Sequence, residues 1–341
     1  MNISLLAIDI AKNVFQLHGN DERGKAVLKK KPRRGEVLPV LANIPKCIVA
    51  MEACGSSNYW AREFEKLGHE VRLVSARFVK AYVKSNKNDA NDAEAIAEAA
   101  SRPSMRFVSA KSIAQQDLQS MHRVRERLVR SRTALSNEIR GLLAEYGIVL
   151  KKGICQVRNQ LRDELERHQE KLSGRGLEMF AELADELREL DAKIARSDRK
   201  IAMTSVCEHP EFKRLSEIPG VGPLTASAVI STVANPRNFR NGRQFAAWVG
   251  LVPKQHSTGG RTQLGKIGKR GNSYLRKLLV HGARTTMRYT ARKNDRTSQW
   301  VEVLKKRVGY NKATVALANK NARIIWALLV HERNYQTPKA A

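Results

Sequence analysis

Apolar and polar positions along this chain follow two different periods, and the change falls near residue 110. Before it, apolar runs of four or five residues are separated by turn residues; after it, apolar positions recur every three or four residues over long stretches. Residues 3–18 read as a strand turning at His18-Gly19-Asn20-Asp21, and 25–31 as another, so the chain opens as an antiparallel meander. A short helix over 36–42 leads to a strand at 47–51. Gly55-Ser56-Ser57 then turns into a helix near 58–67, Gly68 ends it, and 70–74 is the next strand. A last helix begins at Asp89, carries Ala93, Ile96, Ala97 and Ala100, and stops before Pro103. Strands first, then alternating helices and strands, is an α/β layer plan of one domain's length, assigned to residues 1–110.

Residues 111–205 are expected to be a helical, coiled-coil connector. Phe180, Leu183, Leu187, Leu190, Ile194 and Ile201 keep a three–four spacing, with Ser197 the one polar interruption. The first arm is expected over 113–146 and the turn over 147–153. Such a seam suits either an internally packed antiparallel pair or a dimerisation arm, and the pattern does not choose. Residues 206–341 read as a mainly helical domain with Gly-rich loops.

Composition adds a partner. The formal net charge is +29 and is unevenly spread: residues 206–341 hold 25 Lys and Arg against 6 acids, and between Ile218 and Asn294 there are fourteen cations and no acid. A solvated surface mixes signs, so this tract reads as a footprint for phosphates. A membrane surface is disfavoured because no amphipathic anchor accompanies the charge, and no run reaches spanning length. Cys47, Cys54, Cys155 and Cys207 lack metal-type spacing and read as reduced thiols. A soluble, cytoplasmic protein is expected, associated with the nucleoid when bound to DNA.

Four carboxylates carry the candidate chemistry of the first domain. Asp9 closes the run Leu5-Leu6-Ala7-Ile8, and Glu52 closes Cys47-Ile48-Val49-Ala50-Met51. Asp89 and Asp92 open a helix and project from nearly one face. Acids seldom end buried strands without a partner, since an unpaired buried charge is costly. Without a cation the helical pair would repel and one member would protonate. Oxygen-only ligands suit Mg²⁺ or Mn²⁺, and two such ions can clamp a phosphodiester during displacement. The plainer alternative makes Asp89 an N-cap and Asp92 a first-turn acid.

In the last domain, residues 212–226 read as a helix-hairpin-helix pattern around Gly220-Val221-Gly222. Its glycines would admit a phosphate to the backbone and to the following helix N-terminus. Further on, Gly250-Leu251-Val252-Pro253-Lys254-Gln255-His256-Ser257-Thr258-Gly259-Gly260-Arg261 sets a serine in a Gly-rich loop among cations. Lys266, Lys269, Arg270 and Arg276 follow. Such a serine suits attack on phosphorus, with the cations stabilising the charged transition state. His256 is disfavoured as its base, because adjacent side chains in an extended segment point opposite ways.

At these motifs the chain resembles the DEDD insertion-sequence transposases of the IS110 family, more closely its IS1111 branch. The resemblance rests on Ala7-Ile8-Asp9-Ile10-Ala11-Lys12, Met51-Glu52-Ala53, Asn88-Asp89-Ala90-Asn91-Asp92-Ala93, Ile218-Pro219-Gly220-Val221-Gly222-Pro223, Gly250-Leu251-Val252-Pro253 and His256-Ser257-Thr258-Gly259-Gly260. It implies a RuvC-like (RNase H-type) first domain, a coiled-coil connector and a transposase domain. It implies a metal tetrad of Asp9, Glu52, Asp89 and Asp92 with Mg²⁺ or Mn²⁺, and Ser257 as the nucleophile joined to a DNA phosphate. Thr258 stands where many relatives carry a second serine. Donor and target DNA, a structured guide RNA, and a homodimer or homotetramer with shared active sites are the implied partners. The sparse aromatic content, 6%, fits a protein that leaves sequence choice to base pairing. Two other classes remain in view: a junction-resolving nuclease using carboxylates and water, and a nucleic-acid-binding protein without catalysis.

Overall fold

The computed structural model describes residues 2–84 and 88–337. The chain forms two compact units, Met1–Ile113 with Val233–Asn241, and Ala114–Thr232 with Gly242–Ala341. In the first unit, β1 (Leu5–Asp9), β2 (Gln16–Asn20) and β3 (Ala26–Lys30) form the expected meander. The single strand expected over 3–18 is two strands: Ala11, Lys12 and Asn13 are exposed and break it. α1 (Val37–Ala42), β4 (Ile48–Glu52), α2 (Ser57–Lys66) and β5 (Glu70–Val74) follow, then α3 (Ala76–Val79), α4 (Asp89–Ala100) and the short β6 (Phe107–Val108). The sheet order is β3-β2-β1-β4-β5-β6, with β1, β4 and β5 parallel and the outer pairs antiparallel.

Alternation along the strands sorts side chains to two faces. Leu6, Ile8, Val49 and Met51 pack with Phe15, Val37, Leu41, Trp60 and Phe64, so α1 and α2 cover one face. Leu5, Ala7, Ala50 and Val74 pack with Ala95, Ile96, Ala97, Ala99 and Ala100 of α4 on the other. The alanines let α4 lie close to the sheet. On the first face, full burial of large side chains such as Phe15 and Phe64 contributes about 1.5–3 kcal/mol each.

The second unit starts with α5 (Ile113–Glu145, its first residue grouped with the first unit), α6 (Ile154–Arg167) and α7 (Gly174–Glu208). Arg125 pairs with Asp198 and Arg132 with Asp191, so a step forward along α5 is a step back along α7, and the two are antiparallel. Phe180, Leu187, Leu190 and Ile194 are buried against Leu128, Leu135, Ile139 and Leu143 of α5 and Val157 and Leu161 of α6. That seam is therefore filled within the chain. α8 (Glu211–Ser216), α9 (Pro223–Thr232), α10 (Gly242–Val249), α11 (Ser273–Met287), α12 (Arg296–Val308) and α13 (Tyr310–His331) complete the helices. Between α10 and α11 the chain departs from the helical expectation: β7 (Pro253–Thr258) and β8 (Arg261–Ile267) form an antiparallel hairpin. No helix among the described residues is long and apolar enough to cross a membrane.

Candidate active site

In the first unit the register of the parallel strands places two of the four carboxylates. Ile8 pairs with Met51 across β1 and β4, so Asp9 and Glu52 end neighbouring strands at the same level. Strand parity puts Asp9 with Leu5 and Ala7, and Glu52 with Ala50, on the face that α4 covers. Both acids are half-buried, and both push the nearby Cys54 thiol up, after the larger effect of its own burial. Asp9 and Glu52 thus both lie within electrostatic reach of Cys54.

Asp89 and Asp92 stand in the first turn of α4. Capping is not the work of Asp89: the cap is Asn88, whose side chain accepts from Ala90 N at 3.0 Å. Asp89 is exposed and Asp92 half-buried. Glu94, two residues on, lies within electrostatic reach of His18, which pairs with Ala7 on β1. The middle of α4 therefore lies over the middle of β1 and β2. Even so, among the described residues no three His, Cys, Asp or Glu side chains are grouped to hold a metal ion. The donor chemistry fits a hard divalent cation, and Asp9 and Glu52 end neighbouring strands.

In the second unit Ser257 lies on a β-strand, not in a loop. Thr258 pairs with Arg261, and Gly259 (φ 54°) and Gly260 (φ 76°) make the two-residue turn between them. Two successive positive φ angles fit a type I′ turn, matched to the twist of a hairpin, and they favour glycine here. Ser257 pairs with Thr262 and is exposed. Its Oγ accepts a hydrogen bond of 2.8 Å from Gln255 Nε2, two residues back on the same strand face. His256 points to the opposite face, as expected.

The hairpin is held at its base. Gly268 N donates to Val252 O at 2.7 Å, and Asn319 Nδ2 to Leu251 O at 3.3 Å. Gly250 (φ 84°) and Gly271 (φ 96°) let the two ends of the hairpin's loops close on Arg270 and Trp248 backbone, where a Cβ would overlap a carbonyl oxygen. Arg276 departs from the role expected of it: its Nη1 donates to Val249 O at 3.0 Å, bracing this base. Lys254, Arg261, Lys266, Lys269 and Arg270 are exposed.

The glycines of residues 220–222 also divide. Gly220 (φ 87°) packs on α11, where a Cβ would meet Gly282 O at 2.7 Å, so the close approach it permits is to a helix and not to a phosphate. Gly222 is exposed, with open space where a side chain would stand. Asn321, buried on α13, donates to Pro219 O at 2.9 Å and fixes the turn.

Comparison with known proteins now bears on these two sites. Residues 6–148, which hold all four carboxylates, match a DEDD-type transposase family of IS110, and residues 212–298, which hold Ser257, match the family described as transposase IS116/IS110/IS902. The chain belongs to the IS110 family of transposases. It is 51% identical to a probable family 20 transposase of Pseudomonas aeruginosa, over 98% of this chain and 99% of that protein. It is 45% identical to the transposase for insertion sequence element IS1111A of Coxiella burnetii, over 98% of this chain and 92% of that one. A third relative, the transposase for IS1328 of Yersinia enterocolitica, is 38% identical over 96% of this chain. This transposase is thus an enzyme of DNA recombination, and its mixed α/β sheet followed by helices fits a DEDD nuclease-like domain. Transposases of the DEDD type work with a divalent metal ion.

Sequence reasoning missed Gln255 and Cys54 at these sites. Gln255 was findable, because residues two apart on a strand share a face. Cys54 had no signal, since its nearness to Asp9 depends on how the chain leaves β4.

Proposed function

We propose that this transposase cuts and rejoins DNA through a covalent bond to Ser257, with Asp9, Glu52, Asp89 and Asp92 of a RuvC-like first domain holding Mg²⁺ or Mn²⁺. The observation that carries the reading is Ser257 itself: an exposed hydroxyl on a protruding hairpin, oriented by Gln255, within an acid-free tract. When Oγ attacks, an Oγ–P bond forms as one P–O bond of the strand breaks, and the serine proton ends on the departing DNA oxygen, which leaves as a hydroxyl. Exchange of one phosphate ester for another conserves bond energy, so a freed DNA hydroxyl can later reverse the step without ATP. Gln255 donates to Oγ and so favours the oxygen as charge builds on it; it cannot accept the serine proton through that amide nitrogen. The bound divalent ion would supply Lewis-acid stabilisation of the phosphate's charge.

Asp9 and Glu52 are poised for this ion by strand register, and Asp89 and Asp92 would close on it from α4. Donor and target DNA are the substrates, selected by a structured guide RNA, within a homodimer or homotetramer whose subunits share active sites. The protein works in the cytoplasm, on the chromosome. Exposed Gly222 and the exposed cations Lys254, Arg261, Lys266, Lys269 and Arg270 serve nucleic-acid contacts.

The test is a reaction with element DNA and its flanking noncoding RNA, stopped in denaturant. Wild-type protein should yield a protein–DNA adduct that Ser257→Ala abolishes. Asp9→Asn should remove metal-dependent cleavage while DNA binding persists. Nicked DNA without attached protein would instead identify water as the nucleophile and a junction-type nuclease.

A further inference from the structure

The hairpin that carries Ser257 has two chemically different faces. Direct opposites in an antiparallel pair project to one side, and neighbours along a strand to opposite sides. Ser257 pairs with Thr262 and Gln255 with Leu264, so these four side chains share a face without charge. Lys254, His256 and Thr258 project from the other face, with Arg261 opposite Thr258 and Gln263 opposite His256. The register slips by one residue near Lys254, which places Gly265 and Lys266 together across from it, as in a β-bulge. Lys254, Arg261 and Lys266 therefore stand on the side away from Ser257, with the ribbon between them and its hydroxyl.

Among the described residues, none covers either face. Every residue of the two strands is exposed except Ile267, which is half-buried, and Leu264 on the neutral face is 63% exposed. A free two-stranded hairpin is marginally stable in water, and a bare polar ribbon braced only at its base is suited to being covered on both sides by a ligand. The cations project from the side away from the phosphate that Ser257 attacks. Their charge complements a second line of phosphates.

We propose that the hairpin works between two DNA strands: the face bearing Lys254, Arg261 and Lys266 grips the backbone of the strand that is not cut, while the neutral face presents Ser257 to the strand that is. This rests on the nucleophile reading for its second half only. Contact between side chain and phosphate gives the cationic face affinity without sequence preference. On the neutral face Leu264 and Thr262 approach sugar and base edge beside the reacting phosphate, and Gln255 is the side chain that donates to Oγ.

Two measurements test it. First, binding of full-length Ser257→Ala protein to duplex DNA is followed against salt, with and without Lys254→Gln, Arg261→Gln and Lys266→Gln together. Each phosphate contact contributes about 0.9 to the slope of log affinity against log salt, so the slope should fall by about 2.7. Thr262→Ala should leave it unchanged. An unaltered slope in the triple variant, or a loss confined to RNA duplexes, overturns the assignment to DNA. Unchanged helical circular dichroism in the triple variant establishes that it is folded. Second, a DNA-cleaving reagent is tethered at Lys254→Cys or at Thr262→Cys in protein joined to DNA through Ser257. The reagent at 254 should cut the unjoined strand and the reagent at 262 the joined one. Cuts by both in the joined strand alone overturn the two-strand arrangement. Absence of any adduct alongside the expected slope change would remove the nucleophile reading and leave the cationic surface standing.

Discussion

Replacing His122 with leucine should flatten the acid limb of the second unit's stability curve. His122 lies on α5 and is 3% exposed. Its Nε2 is 3.0 Å from Ser227 Oγ on α9, and its Nδ1 is 3.0 Å from the Tyr274 hydroxyl on α11. Ser227 already donates to Pro223 O at 2.8 Å, so Nε2 carries the ring hydrogen and Nδ1 accepts from Tyr274. A neutral ring thus satisfies all three groups. Around it stand Arg125 of α5, paired with Asp198 of α7, and Glu126, 2.9 Å from Lys277 of α11. Burial first, then the Arg125 cation, push His122 down to about 4, with Asp198 opposing. Burial pushes Tyr274 up to about 12, which keeps it a donor. In the unfolded chain His122 returns to 6.5. Between those values the unfolded state holds the extra proton, so this contribution is whole above pH 6.5 and is lost as pH falls through about 4. The separation is worth about 3 kcal/mol, of which about 2 kcal/mol disappears between pH 7 and pH 5. Urea unfolding read by helical circular dichroism at pH 7, 6 and 5 measures it. His122→Leu should be less stable at pH 7 by about 1–3 kcal/mol, because Tyr274 loses a buried acceptor. That deficit should shrink by about 2 kcal/mol at pH 5. A deficit that stays constant with pH would refute the neutral-ring argument.

Three further outcomes are expected. Gly282→Ala would drive a Cβ into the Gly220 carbonyl, backbone against backbone, and should cost the second unit about 3–5 kcal/mol in the same urea assay. Gln255→Ala should slow adduct formation by about 10–100-fold through loss of one hydrogen bond to a charged oxygen, with no change in the urea midpoint, since both side chains are exposed; an unchanged rate would deny Gln255 its positioning role. Asp191→Ala strands Arg132 and Arg158 and should lower stability by about 1–3 kcal/mol at low salt, an effect that a thermal melt in high salt should reduce.

β1 and β4 were legible twice over, by short apolar runs and by the acids that end them, Asp9 and Glu52, whereas the two-residue β6 left no such run. α4 and the α5–α7 seam were legible for a related reason: each buries one stripe, and burial imprints a period. α6 escaped because only Val157 and Leu161 are buried on its fourteen residues, too few to set a period against Arg158, Arg162, Asp163 and Glu164. The hairpin escaped for the opposite reason. Nothing on β7 or β8 is buried, so no apolar alternation exists, and Gly259-Gly260 was the one turn signal. The His122 cluster joins residues 105 and 152 positions apart, and no local pattern foretells such a meeting. Arg276 and Gly220 illustrate a further limit. Cation and glycine in a basic tract suggest phosphate, yet here one fastens carbonyls and the other admits a helix.

One backbone rule governs both halves of the chemistry. Parity on β1 and β4 gathers Asp9 and Glu52 on the α4 face, because each follows its neighbours by an even step: Leu5, Ala7, Asp9 and Ala50, Glu52. A slip of β4 by one residue would send Glu52 to the face lined by Trp60 and Phe64, where its charge would be both unpaired and desolvated. Parity on β7 does the reverse and parts Ser257 from Lys254 and His256. The acids proposed to share an ion are brought to one side, while the proposed nucleophile and the cations beside it in sequence are sent to two. Spacing along the chain would have ranked Lys254 and His256 as the nearest partners of Ser257. The strand makes Gln255 the partner instead, and leaves the cations free to hold a different set of phosphates.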